Sequence, residues 1–235
     1  MMRRLLICFS LAAALDAASI QGKVLLVDSR EPDVRKKSDF SGVAVWLEPV
    51  TGEPPPAGDS VVKMLQKNKR FEPHLVTIRV GGSVDFPNLD PIFHNAFSNF
   101  SGQPFDVGLY PPGTTRRIRF RREGIVRVFC NIHPTMSAVI VVLKTPYSAV
   151  SRRDGAFSIQ DVPAGDYRLH LFHERAAEER IRPLERDVKV AGAVVNLPEI
   201  VISESGYLQA PHKNKYGKDY PAVVVDMPAY PGRQK

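Results

Sequence analysis

A cysteine, a histidine and a methionine stand three residues apart in turn in the stretch Phe129-Cys130-Asn131-Ile132-His133-Pro134-Thr135-Met136. Thiolate and thioether donors favour Cu(I), and imidazole accepts either oxidation state, so one short loop gathers donors that suit copper. Two imidazoles, one thiolate and a weak axial thioether together make a blue-copper electron-transfer site. The loop lacks only the second histidine. Upstream, Asn88-Leu89-Asp90-Pro91-Ile92-Phe93-His94-Asn95 offers it in a proline-containing loop. The candidate metal ligands are therefore His94, Cys130, His133 and Met136.

On these residues the sequence resembles the cupredoxins, the plastocyanin- and amicyanin-like type 1 copper proteins. Cys130, His133 and Met136 reproduce a C-x2-H-x2-M spacing similar to that of the amicyanin-like members, and Phe86, Asn88, Asp90 and His94 are similar to a Phe-x-Asn-x-Asp-x-x-x-His segment of the same family. The likeness covers about residues 60–145. It implies a Greek-key β-sandwich holding one type 1 copper ion, imidazoles that bind through Nδ1, and an asparagine, Asn95, that tethers the two ligand loops through Asn131 or Thr135. The implied function is single-electron transfer between redox partners. An envelope copper carrier or storage protein is the alternative that the same ligands permit. His133 is expected at the exposed edge of the site, ringed by Pro134, Pro91 and Ile92 or Phe105, an apolar rim suited to the small interfaces of brief redox encounters.

The elements that must position these residues read as strands. Twenty prolines and sixteen glycines with few long helical patterns favour an all-β class. Leu75 to Val80 and Ser83 to Phe86 flank a Gly81-Gly82 turn, Thr115 to Phe120 alternates arginine with apolar residues, and Ile125 to Cys130 leads into the ligand loop. Ala138-Val139-Ile140-Val141-Val142-Leu143 beyond it is the β-branched run of a buried strand. The long segment Pro87 to Pro112 favours an ordered excursion around a functional site.

Outside that segment the pattern changes. Ile20 to Val27 and Gly42 to Glu48 read as two strands, with Val43, Val45 and Leu47 on one face of the second and Ala44 and Trp46 on the other. Thr51 to Ser60, with three consecutive prolines, reads as a linker. Asp154-Gly155 lies between strand-like flanks and signals a hairpin. With Phe157, Ile159, Asp161-Val162-Pro163, Gly165 and Tyr167 it resembles the D-G-x-F-x-I-x-D-V-P-x-G-x-Y pattern of carboxypeptidase regulatory-like β-sandwiches, over about residues 146–202. The opening strands of such a sandwich are missing immediately upstream. The expectation is that residues 20–50 supply them, that residues 60–145 are an inserted cupredoxin domain, that 146–202 complete the host sandwich and that 203–235 form an irregular C-terminal tail. Such a combination resembles bacterial proteins grouped with plastocyanins or with methylamine-utilisation proteins, which establishes no role in amine oxidation.

Residues 1–19 carry Arg3 and Arg4, the apolar run Leu5 to Leu15 and then small residues, the pattern of a secretory signal peptide with cleavage expected before Ile20. Export to the periplasm or beyond follows as an expectation. Cys8 would leave with the leader, so Cys130 would be the only thiol and no internal disulfide could form. No later apolar run is long enough for a transmembrane helix. The formal charge of +7 and the pI near 9.5 suggest an acidic partner, such as an acidic redox protein, or an anionic surface. The arginines at 116, 117, 119, 121 and 122 read as the solvated face of a half-buried strand, not as a nucleic-acid site. No Ser-His-Asp spacing, paired-carboxylate motif, P-loop or H-E-x-x-H occurs, so no catalysis is expected. His74, His170, His173 and His212 are expected to be structural or exposed, although His173-Glu174 is a pair that metal sites use.

Overall fold

The computed structural model describes residues 17–56, 58–99, 102–208 and 211–221. Almost all of the expected leader and the apolar run Ala222 to Val225 lie outside the described residues. The strands, in chain order, are β1 (Ala18–Val27), β2 (Val43–Pro49), β3 (Val61–Lys63), β4 (Leu65–Lys67), β5 (Arg70–Glu72), β6 (Leu75–Arg79), β7 (Ser83–Pro87), β8 (Phe97–Ser98), β9 (Phe105–Asp106), β10 (Thr115–Arg119), β11 (Gly124–Phe129), β12 (Ser137–Leu143), β13 (Ser148–Val150), β14 (Ala156–Val162), β15 (Gly165–His173), β16 (Arg186–Val190), β17 (Val194–Asn196) and β18 (Ile200–Ser203). Between β1 and β2 the basic segment forms a short helix, α1 (Pro32–Lys37), started by its proline and carrying basic residues in the last turn. The fold is nearly all β.

Four main sheets stack in layers. The first has order β14-β1-β17, with β18 pairing the C-terminal half of β1 in parallel, and the second has order β13-β2-β15-β16. Ile20, Val24, Val43, Val45, Leu47, Phe157 and Leu169 fill the core shared by these two. The third sheet, β6-β12-β11-β8-β9, and the fourth, β10-β7-β3, enclose another core containing Phe86, Val126, Val128, Ile140, Val142, Cys130 and Met136. β1 thus pairs with β14 and not with the strand that leads to Cys130.

The period-2 geometry of a strand explains what joins the two halves. Along β12, Ala138, Ile140 and Val142 face the core with Cys130, while Val139, Val141 and Leu143 point the other way. There they meet Ala44 and Trp46, on the face of β2 opposite Val43, Val45 and Leu47. A third apolar layer therefore runs between the second and third sheets. It explains why β12 has six consecutive buried apolar residues with no polar alternation. Two crossings between the halves lie side by side, and Arg79 holds them together: its guanidinium donates to the carbonyls of Pro55 and Pro56 on one and to that of Lys144, at 3.0 Å, on the other.

Three expectations change. Ala18 and Ser19 belong to β1; Ala18 is 1% exposed and pairs with Val162, so cleavage before Ile20 would remove part of a packed strand. The Asp154-Gly155 turn does not make a two-stranded hairpin, because β13 pairs with β2 and β14 with β1. The turn instead passes from one sheet to the next against β1. The Val24 N–H donates to the Gly155 carbonyl at 2.9 Å, and a Cβ at Gly155, whose φ is +81°, would lie 2.1 Å from the Val24 carbonyl oxygen. His173 and Glu174 point apart: His173 Nε2 donates to Glu204 at 2.7 Å, whereas Glu174 pairs with His74 and Arg127.

Glu204, just after β18, is a buried hub. It accepts from His173, from Arg175 at 2.8 and 3.0 Å and from the Ser29 hydroxyl. Burial pushes its carboxyl up, but these donors outweigh it and hold the group at about 2. The unfolded carboxyl titrates near 4.5 and the folded one near 2, so its stabilisation is present above pH 4.5 and lost as pH falls through about 2. Glu204→Ala is expected to cost about 3 kcal/mol at pH 7, because His173, Arg175 and Ser29 all lose their acceptor. Urea midpoints measured from pH 7 downward should show the gap to wild type closing towards pH 2.

Candidate metal centre

Two loops at one end of the third and fourth sheets carry the donors. The first leaves β7 and reaches His94 through a turn that Asn88 organises: its Oδ1 accepts from the Asp90 N–H at 3.1 Å, and its Nδ2 donates to the carbonyls of Ile92 and Tyr110 at 2.8 and 3.3 Å. Asparagine suits this work because its amide can close such turns on the backbone. His94 is then pinned by paired backbone bonds with Tyr110, at 2.9 and 3.2 Å. The second loop leaves β11 at Phe129 and returns as β12. It closes on itself, the Cys130 N–H donating to the Met136 carbonyl at 3.2 Å and the Met136 N–H to the His133 carbonyl at 3.1 Å.

This folding brings His94, Cys130 and His133 together. Cys130 Sγ lies 3.9 Å from His94 Nδ1 and 3.5 Å from His133 Nδ1, and one donor atom from each residue falls within 4.8 Å of the others. Among the described residues no second such group occurs. With metal–sulfur and metal–nitrogen bonds of about 2.3 and 2.0 Å, a sulfur and a nitrogen sharing one ion at about 110–120° stand roughly 3.6 Å apart. The two observed separations bracket that value, so the donor set fits a single ion. Met136 is fully buried in the same core as Cys130.

The surroundings fix the donors' chemistry. His94 Nε2 lies 2.8 Å from Asp90 Oδ2. Burial alone would raise the Asp90 carboxyl, but the N–H groups of Lys69 and Asn68 and the His94 ring bring it below the usual range. An ionised carboxylate only accepts, so the His94 proton sits on Nε2 and the Nδ1 lone pair faces Cys130. Burial pushes the Cys130 thiol up, while backbone N–H groups of Ile132, Asn95 and His133 partly offset it. Asn95 ties the loops together: its Oδ1 accepts from the Asn131 N–H at 3.2 Å, and its Nδ2 donates to Asp106 Oδ1 at 2.7 Å and to the Gly108 carbonyl at 3.0 Å.

Two expectations around His133 change, the exposure of the residue itself and the place of Phe105, while Pro91 and Pro134 are exposed. His133 is 3% exposed, and Phe105 packs between Phe86 and Phe120, away from any rim. A two-stranded sequence signal cannot tell an inward phenylalanine from an outward one in so short a strand as β9. Sequence reasoning also missed Asp106 and the contacts that the expected C-terminal tail makes with the cysteine loop. Tail residue His212 stacks on Phe129 at 4.2 Å, and the Tyr220 hydroxyl donates to the Cys130 carbonyl at 2.7 Å.

Replacing Asp90 by alanine removes the acceptor that orients His94. Loss of such an outer partner costs about 10–100-fold in metal affinity, so if His94, Cys130 and His133 hold a copper ion, Asp90→Ala is expected to weaken Cu(I) binding by that factor. Competition with a Cu(I) chelator measures it.

No family model matches the sequence, and no curated protein matches it. Solved structures similar to it include a Cu-containing nitrite reductase from Thermus scotoductus, at 27% identity and a TM-score of 0.35, covering 41% of this chain and 25% of that one. A purple cupredoxin from Nitrosopumilus maritimus is similar at 22% identity and a TM-score of 0.32, covering 34% of this chain and 98% of that one. The P52G mutant of amicyanin is similar at 18% identity and a TM-score of 0.34, covering 37% and 86%. The chain thus spans a quarter of the nitrite reductase's length and most of the length of the smaller proteins. Over the part of its length that they cover, its structural neighbours are cupredoxins and a copper-containing reductase.

Proposed function

We propose that this is an exported mononuclear type 1 copper protein that carries single electrons, with Cys130 as thiolate ligand, His94 and His133 as imidazole ligands and Met136 as the weak axial one. The observation that carries the reading is the buried thiol faced by two Nδ1 atoms at 3.5 and 3.9 Å. Bound copper would supply the one-electron couple. The chain's own residues hold the donors still: Asp90 orients His94, Asn95 locks one loop to the other, and the self-closed turn from Cys130 to Met136 limits movement. A site that changes shape little between oxidation states transfers electrons with little rearrangement. Complete burial of all four side chains also supports retention of the ion over hand-off, which weighs against the copper-carrier alternative.

The domain division follows the same reading. Residues 60–145 form the copper-binding sandwich, inserted between β2 and β13 of a host sandwich built from 20–50 and 146–202; the pairing of β1 with β14 and of β2 with β15 supports it. Export requires the leader to be cut upstream of Ala18. Exposed Arg116, Arg121 and Arg122 lie on or beside the edge strand β10 and suit an acidic redox partner. The test is metal analysis and visible spectroscopy of protein recovered from its native compartment. One copper per chain with strong thiolate-to-Cu(II) absorption after oxidation supports the proposal; a copper-loaded protein that stays colourless once its copper is oxidised to Cu(II) overturns it.

A further inference from the structure

We infer that the C-terminal segment, residues 211–221, is a built part of the metal centre: a strap that locks the two ligand loops. The inference rests on the reading of His94, Cys130 and His133 as a metal site, and on a closed ring of hydrogen bonds. The Asn131 N–H donates to Asn95 Oδ1 and Asn95 Nδ2 to Asp106 Oδ1. Lys215 completes the circuit from the tail, its N–H donating to Asn131 Oδ1 at 3.0 Å and its ammonium to Asp106 Oδ2 at 2.7 Å. The Lys215 carbonyl accepts in turn from Asn99 Nδ2 at 3.3 Å. One residue therefore touches the cysteine loop, the strand behind the histidine loop and the segment that follows β8.

Two aromatic contacts extend the strap over the thiol. The Tyr220 hydroxyl donates to the carbonyl of Cys130 itself, and His212 lies flat on Phe129, the residue before it. Tyr220 also meets His212 edge-on at 5.2 Å, so the two form one aromatic pair on the cysteine loop. A segment that only needed to be stowed on the surface would not satisfy side-chain and backbone groups of the cysteine loop together with Asp106, the residue that Asn95 beside His94 also holds. Held this way, the loops resist the opening that would let copper leave or a reagent reach the sulfur. Lys215 and Tyr220 are positioning residues that act through Asn131, Asp106 and the Cys130 backbone.

The experiment uses the processed chain, in which Cys130 is the only thiol, with Lys215→Ala, Tyr220→Phe and a truncation after Leu208. Two rates are read: alkylation of Cys130 by iodoacetamide in the metal-free chain, and transfer of Cu(I) to a chelator from the loaded chain. Lys215→Ala and the truncation are expected to speed both by about 10–100-fold, the usual effect of losing an outer-sphere partner, and Tyr220→Phe by less. Unchanged rates in Lys215→Ala and the truncation overturn the strap. Faster alkylation in a chain whose wild type binds no copper keeps the strap and overturns the copper reading, so the two failures are distinct. Circular dichroism and the urea midpoint of Lys215→Ala separate loop opening from loss of the fold, and an alkylation gain that merely tracks a lower midpoint also overturns it.

Discussion

Cys130→Ser is expected to abolish the strong thiolate-to-Cu(II) absorption of the oxidised, copper-loaded protein and to weaken copper binding by far more than the roughly 10–100-fold that an outer partner contributes. The absorption of a blue site arises from the bond between a thiolate and Cu(II), so a hydroxyl at the same place cannot produce it. Serine is the right substitution, because the shape of the buried loop is nearly kept: the backbone bonds from Cys130 to Met136 and from Met136 to His133 do not involve the sulfur. Loss of colour with an unchanged urea midpoint of the metal-free chain would therefore report on ligation alone. A variant that stayed coloured would move the metal to other donors and end the assignment. Met136 gives the complementary case, since loss of a weak axial ligand should leave the thiolate absorption in place and move the reduction potential.

The second large effect concerns stability. Val141→Asp is expected to destabilise the protein by about 3 kcal/mol or more, because Val141 is 1% exposed in the apolar layer between β12 and β2 and a carboxyl there has no partner. If the outer face of β12 were open to water, the same change would fall within about 0.5 kcal/mol. Urea denaturation decides between the two. Against a typical stability of about 5–15 kcal/mol, a loss of that size is a large fraction of the whole.

These two cases mark what the sequence made legible. Cys130, His133 and Met136 fall in one loop, so their spacing alone exposes them, and His94 belongs to a segment whose Asn88 and Asp90 do local work on the same turn. The six apolar residues of β12 declare a strand buried on both faces. Which surface covers the second face is a matter of partners far along the chain, and no local pattern names Ala44 and Trp46 as those partners. The same distance hides Glu204, which gathers Ser29, His173 and Arg175, and Lys215, which meets Asp106 and Asn131. The Asp154-Gly155 turn misled for a related reason: its dihedral preference is local, but whether its flanks pair with each other is decided by β1 and β2. His133 looked exposed because sequence cannot weigh how tightly a loop folds over its own histidine.

Arg79 carries a consequence of another kind. Its guanidinium grips the incoming and the outgoing chain at a single neck, through Pro55, Pro56 and Lys144. A polypeptide nicked within the proline-rich crossing would lose covalent continuity there while its two fragments stayed clasped, by that grip and by the apolar layer beside it. Limited digestion would then yield two bands on a denaturing gel and one particle on a sizing column, and the copper-loop portion could be exchanged as a cassette with both of its seams on the same side.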